Sequence, residues 1–435
     1  MSGRDHDSAV DITEAVTRRS YGKLVAILAA RTGDVAGAED ALSDAFTSAL
    51  VDWPRSGLPQ NPEAWLLSAA RRKQIDTGRH SKVSTAATDH LQLMADELQS
   101  MANDRQPISD ERLALMFACA HPAIEPGIRA PLILQTILGF NAQTIGSAFL
   151  VAPATMGARL SRAKNKIRAA GIPLRVPDRA DLPERLADVL GAIYGAYAYG
   201  WSDPAGIDGS VRNLAEEAIW LGRLITKVLP REPEALGLLA LMLYSQSRLN
   251  ARRDRQGEFI PLAEQKVTEW NKTMIVEAEG LLLSASTLGA FGRYQLEAAI
   301  QSAHIAGRRG GATDWPAIER FYDALCAITD SPVTSINRAI AIAETRGASE
   351  GLAAMPVPLA GDRLNEYQPY WAARAELLIR LCDFDAAKEA YGRAIGLEAD
   401  PSVRRFLQTK KANLERRADS HSRRSFSLRA FDRIE

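Results

Sequence analysis

The side chains of this chain that could do chemistry lie in charged lines rather than in catalytic clusters. Between Ala36 and His80, the residues Glu39, Asp40, Asp44 and Thr47 make an acidic ridge along one predicted helix. The opposite face of that helix carries Ala38, Ala41, Leu42, Ala45, Phe46, Ala49 and Leu50 at helical spacing. Farther on, Arg71, Arg72, Lys73 and Arg79 make the next helix basic. A third line follows Pro153 and Ala154: Thr155, Arg159, Arg162 and Lys166 step by +4, +3 and +4. From Ala152 to Arg168 there are five basic residues and no acidic one. Arginines in such a line can read guanine edges, and lysines take phosphates. Carboxylates in a row suit a basic protein surface. The implied chemistry is recognition, with two different partners held side by side.

Bond-making chemistry finds no support. Only six histidines occur, none paired at i, i+4, and Cys119-Ala120-His121 is too tight for a zinc site. Phosphate loop, dinucleotide fingerprint and nucleophile elbow are all missing, and Gly307-Arg308-Arg309-Gly310-Gly311 has no strand before it. No catalytic residue, metal or cofactor is expected. Formal net charge is zero, so nucleic acid must be met by local patches rather than by overall basicity. Three widely spaced cysteines argue for a reducing compartment. No apolar run approaches membrane-spanning length, and the N-terminus has no signal-peptide core. A cytoplasmic protein that does not engage membranes is expected.

The elements that must position these lines are helices throughout, so the fold class expected is all-α. A chain of 435 residues exceeds one ordinary core. The pattern divides it into a helical domain over 10–80, a linker over 81–109 and a second helical domain over 110–172. A connector over 173–183, a helical array over 184–415 and a basic tail over 416–435 follow. In the first domain a loop from Trp53 to Asn61 hinges the acidic and basic helices. In the second, Asn141 caps a short helix, Leu150-Val151-Ala152 turns, and Pro153 starts a longer one ended by Gly171 and Pro173. Short helix, tight turn and longer helix form the helix-turn-helix plan. Met156, Leu160, Ala163 and Ile167 are its inward stripe. A basic, solvated helix end would carry the same charges.

In the array, the residues after Trp371 set a repeat-like register: Ala375, Ala387, Tyr391 and Ala394 fall at +4, +16, +20 and +23. Small residues there let the two helices of a tetratricopeptide pair approach, and the aromatics fill the gap to the next pair. The basic tail, with ten Lys/Arg against four Asp/Glu from Arg404 onward, reads as a solvated segment.

These motifs together resemble the extracytoplasmic-function class of bacterial RNA polymerase sigma factors. The resemblance rests on Ala38-Glu39-Asp40 with Asp44-Ala45-Phe46, on Trp65-Leu66 with Ala70-Arg71 and Ile75-Asp76, and on Ala154-Thr155-Met156-Gly157-Ala158-Arg159-Leu160-Ser161-Arg162-Ala163-Lys164. The whole chain is similar to the subgroup with a tetratricopeptide-like C-terminal extension. The resemblance implies that Glu39, Asp40, Asp44 and Thr47 dock on the β′ clamp helices of core RNA polymerase, with the β flap as a further partner surface. It implies that the loop holding Trp53, Arg55 and Asn61 takes a base flipped from the promoter −10 element, which Arg71, Arg72, Lys73 and Arg79 also contact. Pro153, Ala154, Thr155, Arg159, Arg162 and Lys166 would then read the −35 element. The extension would tune activity and could bind a peptide, a protein or a small molecule. Ala152 and Gly157 depart from the family pattern, which usually has a serine cap and a basic residue there.

Two other readings fit the same residues. One is a helix-turn-helix regulator with a tetratricopeptide sensor that binds duplex DNA unaided. The other is a tetratricopeptide scaffold whose N-terminal domains have lost DNA function.

Overall fold

The computed structural model describes residues 20–81, 109–149, 151–178, 180–202, 209–358 and 363–431. The side chains of 76–81, 109–110, 147–148, 202, 209–213, 363 and 417–431 fall outside that description. The fold is all-α, and no strand occurs among the described residues. No helix among them is long and apolar enough to cross a membrane. The described chain forms two compact units, 1–228 and 229–435.

In the first unit, α1 (described from 20 to 32) leads into α2 (Val35–Ser56) and α3 (Pro62–Ser81). Asp34 starts α2 by accepting a hydrogen bond from the Gly37 N–H at 3.0 Å, and Asn61 does the same for α3 through the Ala64 N–H. Ser20 and Lys23 of α1 both bond the Glu63 carboxylate at 2.5 Å, fixing the start of α3. Then come α4 (Ser109–Cys119), α5 (Pro126–Leu138), α6 (Ala142–Ala148) and α7 (Pro153–Ala169). Backbones of α1 and α5 nearly touch: a Cβ on Gly22 would stand 1.9 Å from the Ile137 carbonyl oxygen, so only glycine fits.

Two further helices, α8 (Leu182–Ser202) and α9 (Gly209–Val228), complete this unit. Buried arginines tie them to the helices before them. Arg129 of α5 donates to Asp188 at 2.9 Å and to the carbonyls of Ile124 and Pro122. Arg112 of α4 pairs with Glu217 at 2.7 Å and lies 4.7 Å from the centre of the Trp220 ring. The helix-turn-helix region and the start of the expected array thus share one core.

The second unit runs α10 (Pro233–Gln246), α11 (Lys272–Ser286), α12 (Arg293–Gly310), α13 (Trp315–Ile328), α14 (Pro332–Arg346), α15 (Ala348–Ala354), α16 (Gln368–Arg380), α17 (Phe384–Leu397) and α18 (Pro401–Phe431). Sequence neighbours pack on one another, as in a helical array. Trp371, Ala375, Ala387, Tyr391 and Ala394 meet in one buried core shared by α16, α17 and α18. A segment after α10 departs from nearest-neighbour packing. Arg253 pairs with Asp400 at 2.5 Å, Glu258 with Arg405 at 2.5 Å, and Phe259 stacks edge-on with Phe406 at 5.5 Å. The front of this unit is therefore strapped to its last helix.

Candidate nucleic-acid and protein interface

The helix-turn-helix is assembled from short-range signals. Asn141 Oδ1 accepts the Thr144 N–H at 2.8 Å to start α6. The turn closes with Val151 N–H on the Gly146 carbonyl at 2.8 Å, and a Cβ on Gly146 would meet the Val151 oxygen at 2.6 Å. Pro153 opens α7, where a missing N–H costs nothing. Met156, Leu160, Ala163 and Ile167 are buried. Pro153, Ala154, Thr155, Arg159, Arg162 and Lys166 are all exposed. Arg159, Arg162 and Lys166 have no carboxylate partner among the described residues. Arg162 Nε donates to the Ala158 carbonyl of its own helix, at 3.4 Å. One face of α7 is thus a line of solvated cations behind an uncharged N-terminal turn, a form that suits a groove in DNA.

The acidic ridge divides. Asp40, Asp44 and Thr47 are exposed along α2, and Lys73 of α3 leans on Asp44 at 3.6 Å. Beyond the carboxylates, Leu50 and Val51 of α2 and Leu58 of the following loop are exposed; Leu50, expected on the apolar face, is thus not buried, because the buried stripe of α2 runs on through Ala49 and Trp53 instead. Glu39 turns inward. Its side chain is 12% exposed and bonds the ammonium of Lys164, itself 11% exposed, on the flank of α7. Burial pushes the Glu39 carboxyl above its ordinary range, against the pull of Lys164 and with help from Asp40. Arg168 of α7 adds a second link, 3.0 Å from the Asp34 carboxylate that caps α2. Lys164 did not stand out in the sequence because it sat within a basic run. Its position four residues beyond Leu160, along the inward stripe, was the available signal.

The base-pocket residues also divide. Trp53 is only 2% exposed and packs edge-on against Trp65, ring centres 5.6 Å apart. Helix α2 continues through Trp53 and Pro54 to Ser56, so the loop shrinks to 57–61. The reason is burial: the indole is worth more in the core than on a hinge. Trp53 is therefore a core residue in this structure and not part of a solvent-facing pocket. Arg55, now in the last turn of α2, and Asn61, at the end of the shortened loop, remain exposed. On α3, Arg72 and Lys73 are exposed and Arg71 is half-buried. Arg79 lies on α3, but its side chain falls outside the description.

Other polar groups of this unit are structural. The buried Cys119 thiol sits 3.5 Å from the Thr136 hydroxyl and is pushed up to about 12 by burial, so it is unreactive. His121 Nδ1 accepts the Ala123 N–H at 3.1 Å, inside a turn.

By fold and site, the described chain is all-helical, and its short helix, tight turn and longer helix present an exposed cationic face. Residues 185–286 match a family of unknown function (DUF6596). An uncharacterized protein of Rhizobium meliloti (strain 1021) is 37% identical over 376 residues, covering 85% of this chain and 88% of that one. The chain belongs to the same family as that protein. No solved structure matches it.

Proposed function

We propose that this chain is an alternative sigma factor: a promoter-specificity subunit that binds core RNA polymerase and directs it to a particular gene set. The carrying observation is the exposed face of α7, where Thr155, Arg159, Arg162 and Lys166 are all open to solvent and the three cations have no carboxylate partner among the described residues. The exposed Asp40, Asp44 and Thr47, with Leu50, Val51 and Leu58 exposed beyond them, support a protein-docking face on α2. Arg72 and Lys73, exposed on α3, support contact with promoter DNA. The second unit would tune activity through a protein, peptide or small-molecule partner. It acts in the cytoplasm, where core polymerase and promoter DNA are.

The buried position of Trp53 favours a second reading, in which the chain is a helix-turn-helix regulator that binds duplex DNA without polymerase. Co-purification with core polymerase tests the choice. Wild type should bind core, and the Asp40→Ala/Asp44→Ala double variant should bind it markedly less. Equal binding by both, or none by wild type, would remove the sigma-factor reading. Tight operator binding by the chain alone would then favour the second.

A further inference from the structure

We infer that the first unit holds a binding site for a small, neutral aromatic molecule, in a cavity between α5, α6 and α8. The site does not depend on the sigma-factor reading above.

A cavity of about 200 Å³ opens between these helices, walled by Leu134 of α5, Ile145 of α6 and Ala192 of α8. Native cores keep few voids larger than a water molecule, so a space of this size calls for an occupant. Water is a poor one. A buried water needs roughly two to four polar partners, and Thr144 and Tyr199 are the only polar side chains among the described residues of this lining. No charged side chain is among them, so an ion would lose its hydration and gain no counter-charge. A neutral, mainly apolar guest remains.

Size and lining narrow the class. A dry apolar cavity of about 150 Å³ takes up benzene, so this larger one suits a single aromatic ring with a short substituent. Phe140 and Tyr199 of the lining meet edge-on, ring centres 5.6 Å apart, and Phe149 lines the cavity while 41% exposed. Ring faces and edges of this kind favour an aromatic guest.

The cavity is held open by its walls. Arg129 of α5 bonds Asp188 of α8 at 2.9 Å, and Phe140 meets Tyr199 farther along. Between those two fastenings, α8 contributes Gly191 and Gly195 to the wall. A Cβ on either would meet nothing within 4 Å. Larger side chains there have room to fill the gap, and glycine inside a helix is itself destabilising. The chain forgoes stability on both counts, as functional sites do. Thr144 and Ile145 belong to the short helix before α7, while Gly191, Ala192, Gly195 and Tyr199 lie within the 185–286 segment. The guest would sit where the two meet.

Fluorine NMR on the full chain tests the site with 4-fluorotoluene, 4-fluorophenol and 4-fluorobenzoate, probes of one shape. The two neutral probes should bind saturably at one site per chain with Kd of about 1 mM or below. The anionic 4-fluorobenzoate should bind at least about tenfold more weakly. Gly191→Leu fills the cavity and should weaken the neutral probes by about tenfold or more. Gly195→Leu serves if circular dichroism shows that Gly191→Leu does not fold. Gly280→Leu, at another open helical glycine on α11 and outside the cavity, should bind the probes as wild type does. Failure of both neutral probes to bind wild type saturably would overturn the site. Unchanged binding in a folded filling variant, an equal loss in Gly280→Leu, or benzoate binding as tight as that of 4-fluorotoluene would do the same. Core binding is read separately, so each of these results leaves the sigma-factor reading standing.

Discussion

Replacing Trp53 separates two accounts of the loop between α2 and α3. In the sequence-level account Trp53 lines a base pocket, and its loss removes DNA contact without harming the fold. In the structure it is 2% exposed and edge-on to Trp65. Truncating a buried tryptophan to alanine costs about 3–5 kcal/mol, the transfer term plus the cavity left behind. Loss of the aromatic pair is part of that sum and accounts for about 1 kcal/mol of it. Against a domain stability of about 5–15 kcal/mol, this is a large fraction. Trp53→Phe keeps a ring against Trp65, and the indole N–H has no acceptor among the described residues, so no hydrogen bond is lost. That variant should cost only about 1–2 kcal/mol. Hydrogen exchange of α2 and α3 amides, read by mass spectrometry, isolates this hairpin from the rest of the chain. Trp53→Ala should speed exchange there by about a thousandfold, the equivalent of about 4 kcal/mol. Trp53→Phe should speed exchange there only about tenfold and should engage promoter DNA together with core polymerase as wild type does. Normal exchange in Trp53→Ala, combined with selective loss of promoter binding, would refute the reasoning.

Three further outcomes are expected. Arg129→Met removes the buried donor to Asp188 and to two carbonyls, so exchange in α8 should rise by on the order of a hundredfold, and α16 and α17 should be unchanged; equal protection of α8 would count against the shared core. His304 is half-buried against Trp315, and its partial burial, aided by Arg248, lowers its pKa from 6.5 to about 4. The unfolded chain then binds the proton first, so stability of the second unit should fall as pH drops from 6.5 to about 4, by up to about 3 kcal/mol. Denaturant titrations at several pH values check this, and His304→Asn should flatten the dependence. Cys382 holds φ at 61° in the turn between α16 and α17, a conformation glycine adopts without strain. Cys382→Gly should raise stability by about 1 kcal/mol in thermal unfolding.

Local periodicity carried much of this architecture. The apolar faces of α2 and α7, the cap at Asn141 and the start at Pro153 are all short-range patterns, and each lies where its spacing placed it, except that Leu50 of α2 is exposed rather than buried. The five spaced residues from Trp371 to Ala394 meet in one core for the same reason. Glu39, Trp53 and Lys164 were misplaced or passed over because their surroundings come from elsewhere in the chain. Glu39 and Lys164 are 125 residues apart, and each looks like an ordinary solvated charge until α2 meets α7. Trp53 beside Pro54 reads as a break, yet contact with Trp65 lets the helix run on to Ser56. The strap from Arg253 and Glu258 to α18 was equally invisible, since Arg253 and Asp400 are 147 residues apart. The boundary after Val228 follows from Arg112 and Arg129, whose partners lie 105 and 59 residues downstream.

The most direct test of the central claim is run-off transcription with core polymerase and a set of candidate promoters, comparing wild type with Arg159→Ala/Arg162→Ala. Wild type should start transcripts at specific promoters. The double variant should lose on the order of a hundredfold at those sites, as two base-reading arginines would predict, while retaining core binding. Transcription that does not depend on this chain, or that is unchanged in the double variant, would contradict the account.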